Sequence, residues 1–255
     1  MFESMDREEL LFQKRLIDLS RTAYQRGIVV FSDFLNLNEL NILHTLPKEE
    51  LYSGYGTFGG YAASERQMVA FLPDALYYEY RYPVEILKIS PVNLKFAENL
   101  SHRDYLGGIL HLGIERCCLG DLLVSEECCR VFVTDSMADY ICRNLTRIRH
   151  TTVKVSVENM ENFHYTPNLE LHKGSVSTVR LDSVLSVAFP LSRSKLTGLI
   201  EGGKVFVNGK LITTNACRLK ENDIISVRGM GRIKYLGILS ETKKGRLYIE
   251  IGKYI

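Results

Sequence analysis

Residues 180–210 read RLDSVLSVAFPLSRSKLTGLIEGGKVFVNGK, and this stretch decides the fold of the C-terminal third. A short amphipathic helix opens at Arg180, with Leu181, Val184, Leu185 and Ala188 at helical spacing on one apolar face. Pro190 stops it, because proline has no N–H to give and its ring clashes with the preceding turn. Ser192 is placed to cap a second helix over 193–202, since its hydroxyl can accept from an N–H of the first turn. That helix buries Leu196, Leu199 and Ile200 and leaves Arg193 and Lys195 in solvent. Gly202 and Gly203 end it. Lys204-Val-Phe-Val alternates as a strand, and Asn208-Gly209 is a strong signal for a two-residue hairpin. Arg180, Arg193, Lys195, Lys204 and Lys210 therefore sit on short elements pinned to one small core. Preorganised cations of this kind bind phosphate backbones.

This stretch resembles the S4 domain, an RNA-binding module. The residues that carry the resemblance are Arg180-Leu181-Asp182, Ser192-Arg193-Ser194, Leu199-Ile200, Gly203, Val205 and Val207-Asn208-Gly209. Asp223-Ile224-Ile225 follows where that family has its next strand.

The charge distribution agrees. The whole chain is near neutral, with 32 basic and 30 acidic residues. Residues 170–255 hold 15 Lys and Arg against 7 Asp and Glu, which gives +8, and residues 1–169 hold 17 against 23, which gives −6. A basic module on an acidic remainder is the asymmetry of a nucleic-acid-binding arm. The basic tail Arg228, Arg232, Lys234, Lys243, Lys244 and Arg246 extends the expected footprint.

At 255 residues the chain can form two or three small domains. No apolar run approaches the roughly 20 residues of a membrane span. The first residues, MFESMDREELLFQKRL, are charged and helical, unlike a secretory signal, so the expected location is the cytoplasm. The cysteines are Cys117, Cys118, Cys128, Cys129, Cys142 and Cys217, without a C-x-x-C pair. Two adjacent-cysteine pairs nine residues apart do not have zinc-site spacing, so reduced thiols and no metal or cofactor are expected. A hairpin that brings Cys117 or Cys118 near the second pair would reopen a metal or redox role.

The expected class is α+β. Residues 1–80 read as a small α/β domain: a long amphipathic helix over 7–26, a strand at 28–31, a helix over 38–46 and a strand over 67–72, with a Gly- and Tyr-rich segment at 51–61 that reads as a flexible loop over 54–59. Residues 81–165 read as strand, helix, two strands, helix, strand, the split βαβ or ferredoxin-like plan. RNA-recognition domains share that plan and stack bases on aromatics of the two central strands. Here those strands offer mainly Phe132, so this is not a standard single-strand reader. Residues 175–255 make the S4 module.

Several look-alike motifs fail on context. Gly54-Tyr-Gly56-Thr-Phe-Gly59 matches G-x-G-x-x-G, but the polar segment before it cannot be the buried first strand of a dinucleotide fold. His102-Arg103-Asp104 resembles the kinase catalytic triplet but has Ile109 where that motif needs asparagine. Asp104 lies three residues after Ser101, which makes a capping box and places His102 and Arg103 exposed in the first turn. His111-Leu-Gly-Ile114 lacks the second histidine of the adenylate-binding motif of class I aminoacyl-tRNA synthetases. The catalytic signatures of S4-bearing pseudouridine synthases and the nucleoside loop of RNA methyltransferases are missing.

The middle of the chain carries a further resemblance. The run Leu100-Ser-His-Arg-Asp-Tyr-Leu-Gly-Gly-Ile-Leu-His-Leu-Gly-Ile-Glu-Arg116, then Leu119-Gly-Asp-Leu-Leu-Val124, resembles the central domain of YlmH-type proteins. Gly59-Gly60-Tyr61, Glu65-Arg66 and Phe71-Leu72-Pro73 resemble their N-terminal domain. That family's pattern shows polar residues around Cys117 and Cys118, so the cysteines are a departure from it. The resemblance implies a non-catalytic bacterial or plastid RNA-binding protein, associated with the large ribosomal subunit, ribosomal RNA and stalled nascent-chain complexes. The expected protein is a monomer that docks on structured ribosomal RNA, with tRNA as a further contact. Arg180, Arg193, Lys195, Lys204 and Lys210 would neutralise phosphates, helped by Arg228, Arg232 and Lys234. Ser192 and Asn208 would add hydrogen bonds, and Asp182 would orient an arginine or cap a turn. His102, Arg103 and Arg116 would touch RNA from the central domain. An RNA-modifying enzyme, or a protein-interaction adaptor in cell division, are the alternatives.

Overall fold

The computed structural model describes residues 2–160, 163, 165–242 and 245–254; Lys243 and Lys244 of the basic tail lie outside them. The chain divides into two compact units, Met1–Tyr165 and Thr166–Ile255. No helix among the described residues is long and apolar enough to cross a membrane.

The first unit opens with helix α1, Phe2–Arg26, whose Leu16 and Ala23 are buried and whose Phe12 and Leu19 pack beside them. Gly27 closes it: its N–H donates to the Ala23 carbonyl at 3.0 Å from a left-handed backbone, φ +64°. Strand β1, Val30–Phe31, leads to helix α2, Leu37–Thr45. The Asn36 side chain accepts from the first-turn backbone of α2, and Glu39 returns the bond to the Asn36 N–H. Strands β2, Gly54–Phe58, and β3, Met68–Leu72, complete an antiparallel sheet in the order β1-β3-β2. The sequence suggests a flexible loop over 54–59, and the structure corrects this. Residues 54–58 pair along their whole length with the buried β3. Pairing with a central strand outweighs the weak strand preference of glycine.

The second sheet of this unit is built from β4 (Val84–Pro91), α3 (His102–Leu110), β5 (Leu119–Val124), β6 (Cys129–Thr134), α4 (Asp135–Asn144), β7 (Arg147–Ile148) and β8 (Thr151–Glu158). Its strand order is β5-β6-β4-β8-β7, antiparallel throughout. This is the ferredoxin-like arrangement with the short β7 added at one edge. Both helices cover one face, where Tyr105, Ile109, Ala138 and Ile141 meet Leu87, Ile89, Val131 and Val133.

On the opposite face Ile86 and Phe132 join Phe34, Tyr61, Met68 and Val84 in a core shared with the N-terminal sheet. This shared core is why both sheets belong to one compact unit. The Phe132 ring is fully buried, 5.2 Å from Tyr61 and 5.4 Å from Phe163 between ring centres, so it offers no surface to a base.

Asp121 of β5 fastens the two parts. Its carboxylate accepts from the Tyr61 hydroxyl at 2.8 Å, the Glu65 N–H at 2.8 Å and the Arg66 N–H at 3.1 Å. The Arg66 guanidinium donates to the carbonyls of Leu119 and Phe34. Burial, then the Asp121 charge, push the Tyr61 hydroxyl far above its usual range, so it remains a donor at any physiological pH. Asp121→Ala would leave three donors without their acceptor. At about 1 kcal/mol for each of these part-buried donors, the first unit should lose about 3 kcal/mol. Asp121→Asn, which keeps an acceptor, should lose less, and urea unfolding separates the two.

The second unit holds β9 (Leu169–Val176), α5 (Leu181–Ala188), α6 (Arg193–Glu201), β10 (Val205–Val207), β11 (Lys210–Leu211), β12 (Ile224–Val227), β13 (Gly231–Glu241) and β14 (Leu247–Tyr254). They form one antiparallel sheet in the order β11-β10-β12-β13-β14-β9. Both helices pack on one face: Leu181, Val184, Leu185, Leu196 and Ile200 meet Val205, Ile225, Val227, Ile233, Ile249 and Ile251.

Candidate nucleic-acid interface

The second unit places its cations through short, well-capped elements. Arg180 precedes α5, and its guanidinium grips Asp182 with two bonds, Nε to Oδ1 and Nη2 to Oδ2, both 3.1 Å. Asp182 thus orients an arginine. An isolated antiparallel bridge sets Arg218 beside Arg180, adding a cation that the sequence motif does not mark.

Ser192 caps α6, its hydroxyl accepting from the Lys195 N–H at 3.4 Å. Arg193 and Lys195 stand exposed on the first turn, with Leu196 and Ile200 anchoring the helix beneath them.

Asn208 and Gly209 form the β10–β11 turn with φ of +48° and +79°, as a type I′ hairpin requires. Both ends of the Asn208 side chain are engaged. Its Nδ2 donates to Asp223 at 2.8 Å, and its Oδ1 accepts from the Ile224 N–H at 2.9 Å. Asp223 also accepts from the Lys220 N–H at 2.7 Å. Asn208 therefore holds the hairpin against β12, and its amide has little left for RNA. Asn208→Gly keeps the left-handed backbone and removes those bonds, so it should cost about 1–2 kcal/mol of this unit's stability. Asn208→Ala adds left-handed strain and should cost more. Thermal unfolding checks both.

The remaining cations fall on two faces of the sheet. Val205 and Val207 point into the core under the helices, so Lys210, which pairs with Val207, shares the helical side with Arg193 and Lys195. Phe206, Ser226 and Arg232 lie in one cross-strand row on the other face. There Arg228 sits over the Phe206 ring at 5.1 Å and Arg232 near the Tyr254 ring at 6.0 Å. Lys234 pairs with Ile224 on that side, and the Lys204 carbonyl accepts from the Arg228 N–H. Arg246 is held at the β9 edge, donating to the Ser175 carbonyl at 2.6 Å.

In the first unit, Ser101 and Asp104 make the capping box, and His102 and Arg103 are exposed in the first turn of α3. Arg116 is turned inward: its Nη1 donates to the carbonyls of Leu119 at 2.6 Å and Gly120 at 3.2 Å. Burial, and then the nearby Arg66 charge, lower its pKa to about 10. An arginine bound to two carbonyls is a structural group, and a sequence motif could not reveal that the chain folds back onto it.

The cysteines are free thiols, with Cys128 and Cys129 buried. Burial raises Cys117 to about 11 and Cys129 to about 12, which keeps both protonated at neutral pH. Among the described residues no group of three His, Cys, Asp or Glu side chains is placed to hold a metal ion.

Two family models match this chain: "Putative RNA-binding domain in YlmH" over residues 79–162, and the S4 domain over residues 179–225. The chain is 26% identical over 251 residues to "Ribosome-associated protein quality control protein P2" of Bacillus subtilis (strain 168), covering 96% of this chain and 95% of that protein. Among solved structures, "Cell division protein ylmH from Streptococcus pneumoniae" matches with a TM-score of 0.50 at 24% identity. That match covers 63% of this chain and 95% of the other, and it speaks to the fold.

Proposed function

The chain is a YlmH-type protein with a C-terminal S4 domain, and from that premise we propose that it is a non-catalytic RNA-binding protein that docks on structured ribosomal RNA of the large subunit. The observation that carries the reading is the first turn of α6. Two exposed cations stand on a capped helix whose other face is locked in the core. They belong to a segment with 15 basic and 7 acidic residues. Lys210 lies on the same side of the sheet, Arg180 stands at the start of α5, and Arg228, Arg232, Lys204 and Lys234 form a second basic surface on the far side of the sheet. Ser192 contributes by fixing the helix start, and His102 and Arg103 add a contact from the first unit.

The Bacillus relative is named for ribosome association and quality control, and we carry that setting to this chain, with tRNA in stalled complexes as a further contact. We take it to act in the cytoplasm as a monomer.

If about six phosphates are neutralised, log affinity should fall against log salt with a slope of about −4 to −5. Titrating a labelled RNA stem-loop at several salt concentrations measures that slope. A flat dependence would contradict docking by this charge.

A further inference from the structure

We propose that the first unit holds a second phosphate-binding site, in the groove between α3 and the β7–β8 turn, and that it takes the sugar-phosphate backbone of folded RNA. This rests on the RNA-binding reading above and adds a contact separate from the S4 helix.

The groove encloses about 560 Å³, and its lining includes Arg103 and His111 at the two ends of α3, with Arg147 and Arg149 across from them. Its one acid is already engaged. The Asp104 carboxylate accepts from the Ser101 N–H at 2.8 Å and the Ser101 hydroxyl at 2.6 Å, and it pairs with Arg149 at 3.0 Å. The hydroxyl bond, then the backbone bond, hold Asp104 below the usual carboxylate range, so it stays ionised and orients Arg149. Arg103 and Arg147 are exposed and make no ion pair among the described residues. Guanidinium groups match phosphate with paired donors, and two elements present them here from opposite walls.

Three details fit a nucleic-acid backbone. First, α3 carries two adjacent glycines, an unfavourable choice inside a helix. Gly108 is explained by packing, since a Cβ there would lie 3.0 Å from Ile148. Gly107 is not, because a Cβ there would meet nothing within 4 Å. It leaves bare helix surface open to an approaching strand. Second, Arg149 sits at φ +52°, a left-handed position where glycine or asparagine would be relaxed. An arginine is held there at a cost in strain, which points to a use for its charge. Third, the face that RNA-recognition domains use is closed by the burial of Phe132, so RNA meeting this unit would meet an edge and a helix.

The test compares the full-length wild type with Arg147→Gln/Arg149→Gly and with Arg193→Glu/Lys195→Glu. The probe is a labelled RNA stem of about 16 base pairs, the span a double-strand RNA-binding domain covers. Arg149→Gly suits the left-handed backbone, so thermal unfolding should show an unchanged or higher midpoint. Binding should weaken by about tenfold, and the salt slope should shrink by about 2. Arg103→Gln, which breaks no ion pair, should shrink it by about 1 and guards against a folding defect in the double variant. Wild-type affinity and slope in the groove variants, with weak binding by the S4 variant, would overturn this site and leave the first reading standing. The reverse pattern would keep this site and remove the S4 reading. Competition by polyglutamate as strong as by the RNA stem would overturn RNA as the ligand.

Discussion

Arg193→Glu/Lys195→Glu is expected to weaken binding to structured RNA on the order of a hundredfold at low salt, while leaving the fold intact. Each substitution removes one proposed phosphate contact and sets an anion where it was, so the salt slope should shrink by about 2 or more. Stability should not suffer. Both residues are exposed, Ser192 still caps the helix, and Leu196 and Ile200 still anchor it. Acids in a first turn interact favourably with the helix dipole, so α6 should gain up to a few tenths of a kcal/mol. Loss of binding with an equal or higher unfolding midpoint therefore separates an interface effect from a structural one. Wild-type binding by this variant would move the interface away from α6.

The largest expected stability effect lies in the first unit, at Gly60. Its φ is +103°, and a Cβ there would lie 2.1 Å from Cδ1 and 2.4 Å from Cε1 of Phe132. The ring cannot yield, because Tyr61 and Phe163 pack against it in a fully buried site. Backbone strain and overpacking each cost about 1–3 kcal/mol, so Gly60→Ala should destabilise the unit by about 3–5 kcal/mol. Gly54→Ala is the matched control in the same glycine-rich stretch. A Cβ at Gly54 meets nothing within 4 Å, and its midpoint should stay within a few degrees of the wild type. Equal midpoints for the two variants would refute the close packing assigned to Gly60.

The difference between these two glycines shows what the sequence can and cannot display. Signals confined to a few neighbouring residues were readable. Ser101 with Asp104, Ser192 before α6, and Asn208-Gly209 each determine a cap or turn by themselves, and the structure has all three. The alternation of helix and strand over 84–158 was equally local, and the ferredoxin-like order follows from it. Strand β2 was not readable, because its reason is the buried partner β3. The strands β9, β13 and β14 also escaped. The segment Leu169–Val176 is polar and becomes a strand by adding to β14, whose own partner is β13. At the candidate interface, residue type identified cations but not their duties. Arg116 looks like any basic residue until the carbonyls of Leu119 and Gly120 surround it, and Asn208 looks like a contact until Asp223 and Ile224 occupy it. Arg147 and Arg149 stand two apart in plain sight, yet only the β7–β8 turn sets them opposite α3.

The central claim is docking on the ribosome through the S4 face, and sedimentation of a cell lysate through a sucrose gradient tests it most directly. Wild-type protein should migrate with large ribosomal subunits, and Arg193→Glu/Lys195→Glu should remain at the top. Wild-type protein at the top of the gradient, or both proteins migrating with the subunits, would contradict the account.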